Sequence, residues 1–333
     1  MTMRVAEDLN AALHALFARE ESAYLLGEDV ADPYGGAFKI TRGLSSAYPD
    51  RVRSTPISEA GLTGVGCGLA LTGNTVVVEI MFGDFLLLAV DQIVNFAAKS
   101  VSMYGTTVPM RFIVRVPTGG RRGYGATHSQ SPQKHLIGVP DLAIFEMSPL
   151  HPNADVLDRM VATGRPCLFV EDKALYGERT YQSDVEDLFS LDYLDTQRNY
   201  ARLAVDPDED SDHVLIVPGG MVGRARAAAR RLLLEDEASC QIVVPSRLYP
   251  FAIEPLLDLL ARAGRVSIAE ESTPGGTWGV QVAAQLYDAL WGRLRRPITL
   301  LSSADSIIPA ARHLEDQVII GDFDIYETLG ALT

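Results

Sequence analysis

The feature that most constrains this chain is a recurring alternation of short apolar runs with segments of helical periodicity. Val76-Val77-Val78-Glu79-Ile80, Phe112-Ile113-Val114-Arg115-Val116, Leu142-Ala143-Ile144-Phe145 and Cys167-Leu168-Phe169-Val170 are almost continuously apolar. Runs of that length and composition read as strands buried on both faces. Between them lie stretches with helical spacing. Val5, Leu9, Leu13, Leu16 and Phe17 predict an amphipathic opening helix, and Asp84 to Tyr104 predicts a long helix. Tyr24-Leu25-Leu26 adds a short buried strand, and Gly35-Gly36 a loop. Strands alternating with helices predict an α/β fold with a mostly parallel sheet covered on both faces.

The alternation pauses between about Tyr181 and Asp212, then resumes. Asp206-Pro207-Asp208-Glu209-Asp210-Ser211-Asp212 is acidic and polar, and a charged run between periodic segments marks a solvated connection. The expectation is two domains, residues 1–180 and 213–333, with a linker over 181–212. An acidic surface loop within one domain is the other reading. In the second unit Val214-Leu215-Ile216-Val217, Ile242-Val243-Val244 and Val266-Ser267-Ile268-Ala269 are strands, with helices over Val222 to Leu234 and Leu256 to Leu260.

Charge excludes some functions. The 29 basic and 43 acidic residues leave a formal net charge of −14, and such a surface repels phosphate backbones, so no nucleic acid is expected. The three cysteines, Cys67, Cys167 and Cys240, are far apart and form no CxxC or Cys/His ligand pattern. A reducing, cytoplasmic compartment fits them. No basic and apolar leader pattern is visible. The apolar run near Phe85 to Val90 is too short to span a bilayer, so no membrane association is expected.

Of the residues that carry chemistry, Glu59 stands out. It follows the turn Thr55-Pro56-Ile57-Ser58 and precedes a stretch, Glu59 to Leu71, that holds Gly61, Gly64, Gly66 and Gly68. A carboxyl poised near neutrality can exchange a proton with a bound heterocycle. The plainer reading is a glutamate favoured at a helix N-terminus by the macrodipole. Gly219-Gly220-Met221-Val222-Gly223 follows a strand, but neither GxGxxG nor a Walker pattern is present, and it reads as a turn.

Thr55-Pro56-Ile57-Ser58-Glu59 with Gly61, Glu79-Ile80-Met81-Phe82-Gly83-Asp84-Phe85, and Asp91-Gln92-Ile93-Val94-Asn95 with Ala97-Ala98-Lys99 resemble the β subunit of 2-oxo acid dehydrogenase E1 components. That group includes pyruvate, branched-chain and acetoin types and is similar to transketolase. The resemblance covers essentially the whole chain. It implies a thiamine diphosphate pyrimidine-binding domain followed by a transketolase C-terminal-like domain.

The resemblance also implies roles. The glutamate matching Glu59 hydrogen-bonds N1′ of the thiamine aminopyrimidine and acts as the acid/base that activates the cofactor. The aromatic matching Phe85 lies against the pyrimidine ring; a core phenylalanine is the alternative. The histidine matching His128, in Gly125-Ala126-Thr127-His128-Ser129-Gln130, faces substrate and handles the acyl intermediate; a surface-loop histidine is the alternative. Glu28 joins the cofactor-binding set, and Glu28 and Asp91 occupy acidic positions that in some relatives link active sites. Asp91 equally suits a structural hydrogen bond. Relatives carry a second histidine nearer Gly138, whereas this chain has His135, which bears on the acyl acceptor. Arg121-Arg122 replace small residues, and two guanidiniums can bind a carboxylate or phosphate or stay solvated.

Relatives bind the Mg2+-bridged diphosphate with Gly-Asp-Gly followed by Asn. Gly83-Asp84-Phe85 and Gly321-Asp322-Phe323 both lack the third glycine. The resemblance therefore implies that an α subunit holds Mg2+ and the diphosphate, with thiamine diphosphate bound at the interface of an α2β2 heterotetramer. The reaction it implies is decarboxylation of a 2-oxo acid with acyl transfer to a lipoyl-bearing E2. A split transketolase-like or biosynthetic enzyme with a small acceptor and a non-catalytic stabilising subunit are the alternatives. Neither the particular 2-oxo acid nor a K+ site is readable.

Overall fold

The computed structural model describes residues 3–181 and 188–331. The first unit comprises α1 (Val5–Arg19), β1 (Ala23–Gly27), α2 (Leu44–Ala47), β2 (Val52–Ser54), α3 (Glu59–Leu71), β3 (Thr75–Glu79), β4 (Phe112–Thr118), β5 (Ala143–Glu146), α4 (Asn153–Ala162) and β6 (Cys167–Asp172). The second comprises β7 (Ser190–Tyr193), β8 (Tyr200–Ala204), β9 (His213–Ile216), α5 (Val222–Glu235), β10 (Cys240–Pro245), β11 (Arg247–Tyr249), α6 (Leu257–Arg262), β12 (Arg265–Ala269), α7 (Trp278–Ala289), β13 (Thr299–Leu301), α8 (Arg312–Val318) and α9 (Asp322–Gly330).

The first sheet runs β11-β5-β6-β4-β3-β1-β2 and the second β13-β12-β9-β10-β8-β7. The first is parallel throughout except at its edge, where β11 pairs antiparallel with β5. β11 comes from the far side of the chain's midpoint, so the two units share a sheet edge. In the second sheet β9, β10, β12 and β13 are parallel, and β8 and β7 add antiparallel.

Burial explains the apolar runs. Every residue of β3, β4 and β6 is buried, because helices cover both faces. One face packs Leu9, Leu13 and Phe17 of α1 with Met160 of α4 against Val77, Ile113 and Phe169. The other face continues without a break from Val78, Val114 and Leu168 to Ile216, Ile268 and Trp278 of the second unit. The far face of the second sheet is closed by α5 and α9, through Ala225, Leu232, Ile325 and Leu329.

Two expectations differ from the structure. The segment from Asp84 to Tyr104 is not one regular α-helix. It opens as a 3₁₀ turn at Gly83–Ala89 and widens to a π-helical turn at Gln92–Ala98. The changed pitch keeps Leu86, Ala89, Ile93 and Ala97 buried. In 3₁₀ geometry side chains three apart eclipse, so Phe82, at the start of the turn, and Phe85 stand together.

The span 181–212, expected as a linker, carries β7 and β8 of the second sheet; residues 182–187 lie outside the described residues. β7 is a partly exposed edge strand, and β8 contains Arg202, whose guanidinium pairs with Asp192 of β7. β7 lacks the apolar signature of the interior strands, and in β8, itself interior and buried throughout, Arg202 interrupts it. The acidic run from Asp206 is the mostly exposed connection from β8 to β9, which agrees with a loop inside one unit.

Candidate active site

In parallel sheets ligands bind outside the carboxyl ends of the strands. Glu28 follows β1 there, and Glu59 begins α3 just beyond β2. Thr55 N–H donates to Gly27 O at 2.9 Å, which sews the chain after β2 to the end of β1. The Ser58 hydroxyl accepts from Gly61 N–H at 3.3 Å and caps α3. Glu28 and Glu59 are 7% and 6% exposed. Burial, and next the like charge of Glu59, hold the Glu28 carboxyl above its ordinary range, while the Ser58 N–H it accepts pulls the other way. Glu28 Oε1 is buried with no hydrogen-bond partner.

The ends of β3 and β4 build an aromatic wall. Phe82 and Phe85 meet edge to face at 6.1 Å. The His128 ring stands edge-on to both, 4.6 Å from Phe82 and 5.2 Å from Phe85. Tyr124 lies 5.7 Å from Phe82 on another side. His128 Nδ1 lies 2.9 Å from the Thr127 hydroxyl. Gln130, two residues on, donates Nε2–H to Asp84 Oδ1 at 2.8 Å and N–H to Oδ2 at 3.4 Å. The 3₁₀ turn also packs against α3, so Phe85 and Glu59 ride on adjoining elements.

Beneath this wall lies a buried ionic network. Arg115 of β4 donates to Glu79 Oε2 at 2.7 Å and, through Nε and Nη2, to both oxygens of Glu171 at 2.7 and 2.8 Å. Tyr176 donates to Glu171 Oε2 at 2.7 Å. The bidentate pair satisfies the guanidinium where no water reaches it. Tyr176 lies tilted against Phe38 at 5.1 Å, and Phe38 meets Phe82 edge to face at 5.7 Å. The network thereby supports the wall.

Lys173, just past β6, is fully buried, and its Nζ has no hydrogen-bond partner. It sits 5.8 Å from the Phe82 ring centre. Burial pushes its ammonium down to about 8, against the opposing pull of Asp172 and Asp84.

The structure thus brings Glu28 to Glu59, and Phe85 to His128. It leaves four other candidates aside. Asp91 is exposed and accepts from Asn95 Nδ2 at 2.7 Å and Gln92 Nε2 at 3.1 Å along its own helical segment. His135 is exposed and lines a separate cleft with Lys134, Glu271 and Thr273. Arg122 donates Nη1 to Lys173 O at 2.9 Å, while the Arg121 side chain is exposed. The Gly219-Gly220 turn lies against the first unit: a Cβ on Gly219 would sit 2.0 Å from Met147 O, and one on Gly220 2.4 Å from Asp172 Oδ2. Close approach of the two units explains that glycine pair.

Phe82, Arg115 and Lys173 went unremarked in the sequence as site residues. For Arg115 and Lys173 the signal is a charge in or just after an apolar strand that is buried on both faces. Such a charge must find a partner or a function.

Comparison with known proteins bears on both units. Residues 1–179 match the family model for the transketolase pyrimidine binding domain, and residues 203–325 that for the transketolase C-terminal domain. The chain is 31% identical over 318 residues to pyruvate dehydrogenase E1 component subunit beta-1, mitochondrial, of Oryza sativa subsp. japonica, covering 95% of this chain and 83% of the relative. It is 27% identical over 326 residues to pyruvate dehydrogenase E1 component subunit beta of Rickettsia bellii, covering 98% and 97%. Among solved structures, a split gene transketolase described as an inactive beta4 tetramer superposes with a TM-score of 0.73 at 18% identity, covering 99% of this chain and 98% of that one.

Proposed function

The chain belongs to the pyruvate dehydrogenase E1 β family of transketolase-like proteins, and from that premise we propose that it is the pyrimidine-binding subunit of a thiamine diphosphate-dependent 2-oxo acid dehydrogenase. The single observation that carries the reading is the nearly buried Glu59–Glu28 pair at the head of α3, on an element that packs against the turn of the Phe85–His128 wall. A hydrogen-bonding carboxyl edge next to an aromatic face suits a flat heteroaromatic ring. Glu28 Oε1 is a buried acceptor that still lacks a partner.

In this reading thiamine diphosphate supplies the nucleophilic carbon and the electron sink for decarboxylation. Glu59 holds and returns the proton at the ring nitrogen it faces. Glu28, whose carboxyl is held above its ordinary range by burial, stands beside Glu59. Phe85 fixes the plane of the ring. His128 donates to the oxygen that gains charge on the substrate carbonyl, then serves the acyl transfer. Phe82 and Phe85 hold the imidazole edge-on, and Tyr124 backs Phe82.

The rim of the site is apolar. Ile57, Val65, Leu87 and Leu88 are 82%, 60%, 47% and 60% exposed, and an exposed apolar cluster of this kind suits burial by another chain. We assign it to an α-type subunit that brings Mg2+ and the diphosphate site, because this chain lacks a Gly-Asp-Gly sequence. An α2β2 assembly and acyl delivery to a lipoyl-bearing E2 belong to the same proposal. So does a cytoplasmic location, in keeping with three free, buried cysteines. Among the described residues no helix is long and apolar enough to cross a membrane. The names of the relatives favour this reading over a split transketolase or a non-catalytic subunit.

The test is co-expression with an α-type chain. Calorimetry with Mg2+ present is expected to show thiamine diphosphate binding only when both chains are there. In the assembled enzyme Glu59→Gln is expected to lower turnover on the order of 10²–10⁴-fold, with folding intact. Tight binding by the isolated chain would remove the shared site. Near-normal turnover of the variant would remove Glu59 from the chemistry.

A further inference from the structure

The loop that carries His128 is held from the second unit. After β4 the chain runs through Gly119 to Gln130, and its base is closed by Gly119 N–H donating to Gln130 O at 3.2 Å. Three backbone N–H groups within it then point away from the first sheet. Arg121 N–H donates to Glu315 Oε1 at 2.7 Å, and Gly123 N–H to Glu315 Oε2 at 3.3 Å. Gly120 N–H donates to Glu271 Oε1 at 2.6 Å. Glu315 lies on α8 and is 1% exposed. Glu271 follows β12 and pairs with Arg224 of α5 at 2.7 Å. Arg224 in turn donates to Gly220 O and Ile320 O at 3.1 and 2.9 Å.

Successive N–H groups that converge form a concave cradle for an anion. In this chain the cradle is filled by the protein's own carboxylate, so it is not a site for a substrate phosphate. The fit is close. A Cβ on Gly120 would fall 2.1 Å from Ile319 Cδ1. Arg121 holds φ +64°, a left-handed conformation that a non-glycine residue adopts at a cost. Such a conformation persists only where the surroundings impose it, and the Arg121 N–H is the group Glu315 captures at 2.7 Å.

We propose that Glu315, seconded by Glu271, is a positioning residue for His128: the carboxylates of the second unit fix the loop backbone so that the imidazole stands against Phe82 and Phe85. The proposal rests on the role given to His128 above. It assigns the second unit a part in the reaction through residues 151 or more positions away in sequence from the N–H groups they hold. Neither carboxylate touches the reacting atoms; each acts through the loop.

The test uses the full chain for hydrogen exchange and the assembled enzyme for turnover, with Glu315→Ala and the isosteric Glu315→Gln. Amides within residues 119–130 are expected to exchange about tenfold faster or more in Glu315→Ala, and less so in Glu315→Gln. Those of β4 and α5 should stay as in the wild type. Turnover is expected to fall about 10- to 100-fold in Glu315→Ala, since small misplacements of a catalytic group cost that much. In a His128→Ala background the same substitution should cost less than about twofold further.

Unchanged exchange in the loop would overturn the clamp. A full, multiplicative cost in the His128→Ala background would overturn the claim that it works through His128. Exchange rising across the whole chain in both variants would reduce Glu315 to a general structural role. Turnover untouched by His128→Ala alone would instead sink the functional reading of His128, leaving the exchange pattern to decide on the clamp.

Discussion

Gln130 hands its side-chain amide to Asp84 Oδ1 at 2.8 Å, and this bond joins two loops that leave neighbouring strands. Asp84 stands next to Phe85 on the 3₁₀ turn after β3. Gln130 closes the loop that carries His128 after β4. The Phe85–His128 contact at 5.2 Å therefore depends on a polar strap that neither aromatic residue contributes.

Asp84→Ala tests the strap. A partly exposed hydrogen bond of this kind contributes about 1 kcal/mol, so urea unfolding should shift only slightly. Turnover of the assembled enzyme should fall about tenfold, because the geometry of the wall matters more than its stability. Equal, small effects on both would show that His128 holds its place without the strap.

Arg115 is buried between Glu79 and Glu171. Arg115→Met keeps much of the volume but leaves two carboxylates without their cation, an uncompensated burial that costs about 3–5 kcal/mol. Denaturant unfolding at neutral pH should report that loss. Burial already holds the Glu79 carboxyl above its ordinary range, with Arg115 pulling it down. Without Arg115 the Glu79 carboxyl can escape its charge by taking up a proton, so the loss should shrink at lower pH. A loss independent of pH would point to packing, not charge, as the role of Arg115.

Glu146 gives a pH prediction at the contact between the two units. Its Oε1 accepts from Gly220 N–H at 2.8 Å. Burial, opposed by that bond, lifts the carboxyl from 4.5 to about 8. The folded chain therefore holds a proton that the unfolded chain releases. The stability this contributes is full below about 4.5 and is lost as pH climbs towards about 8. Asp172, lifted from 3.8 to about 7 by burial and next by the charge of Glu271, acts in the same direction.

Glu146→Gln keeps an oxygen for Gly220 and removes the titration. Melting temperatures should rise more at pH 8 than at pH 5.5, as a scan of wild type and variant would show. Lys173 works in the opposite sense above its value of about 8, where the folded chain gains stability up to 10.5, so the comparison stays at or below pH 8. A larger gain at pH 5.5 than at pH 8 would contradict the assignment.

Sequence alone determined the interior strands and the residues whose effect is local. Val76 to Glu79 and Phe112 to Val116 had to be buried strands, because apolar side chains on both faces of a strand need cover on both sides. Glu59 was visible because its turn, cap and helix lie within a few residues of it. Tertiary structure decided whatever depends on partners far along the chain. Arg115 read as one charge in an apolar strand until the fold set it between acids 36 and 56 residues away. β7 was hidden because an edge position imposes no apolar pattern, β8 because Arg202 interrupts its short apolar run, and β11 because it completes a sheet begun in the other unit. The setting of His128 depends on Gln130, which finds its partner 46 residues back, and on Arg121, whose N–H finds its acceptor 194 residues ahead. A periodicity records which face a residue buries; only folding determines which charges and amides meet there.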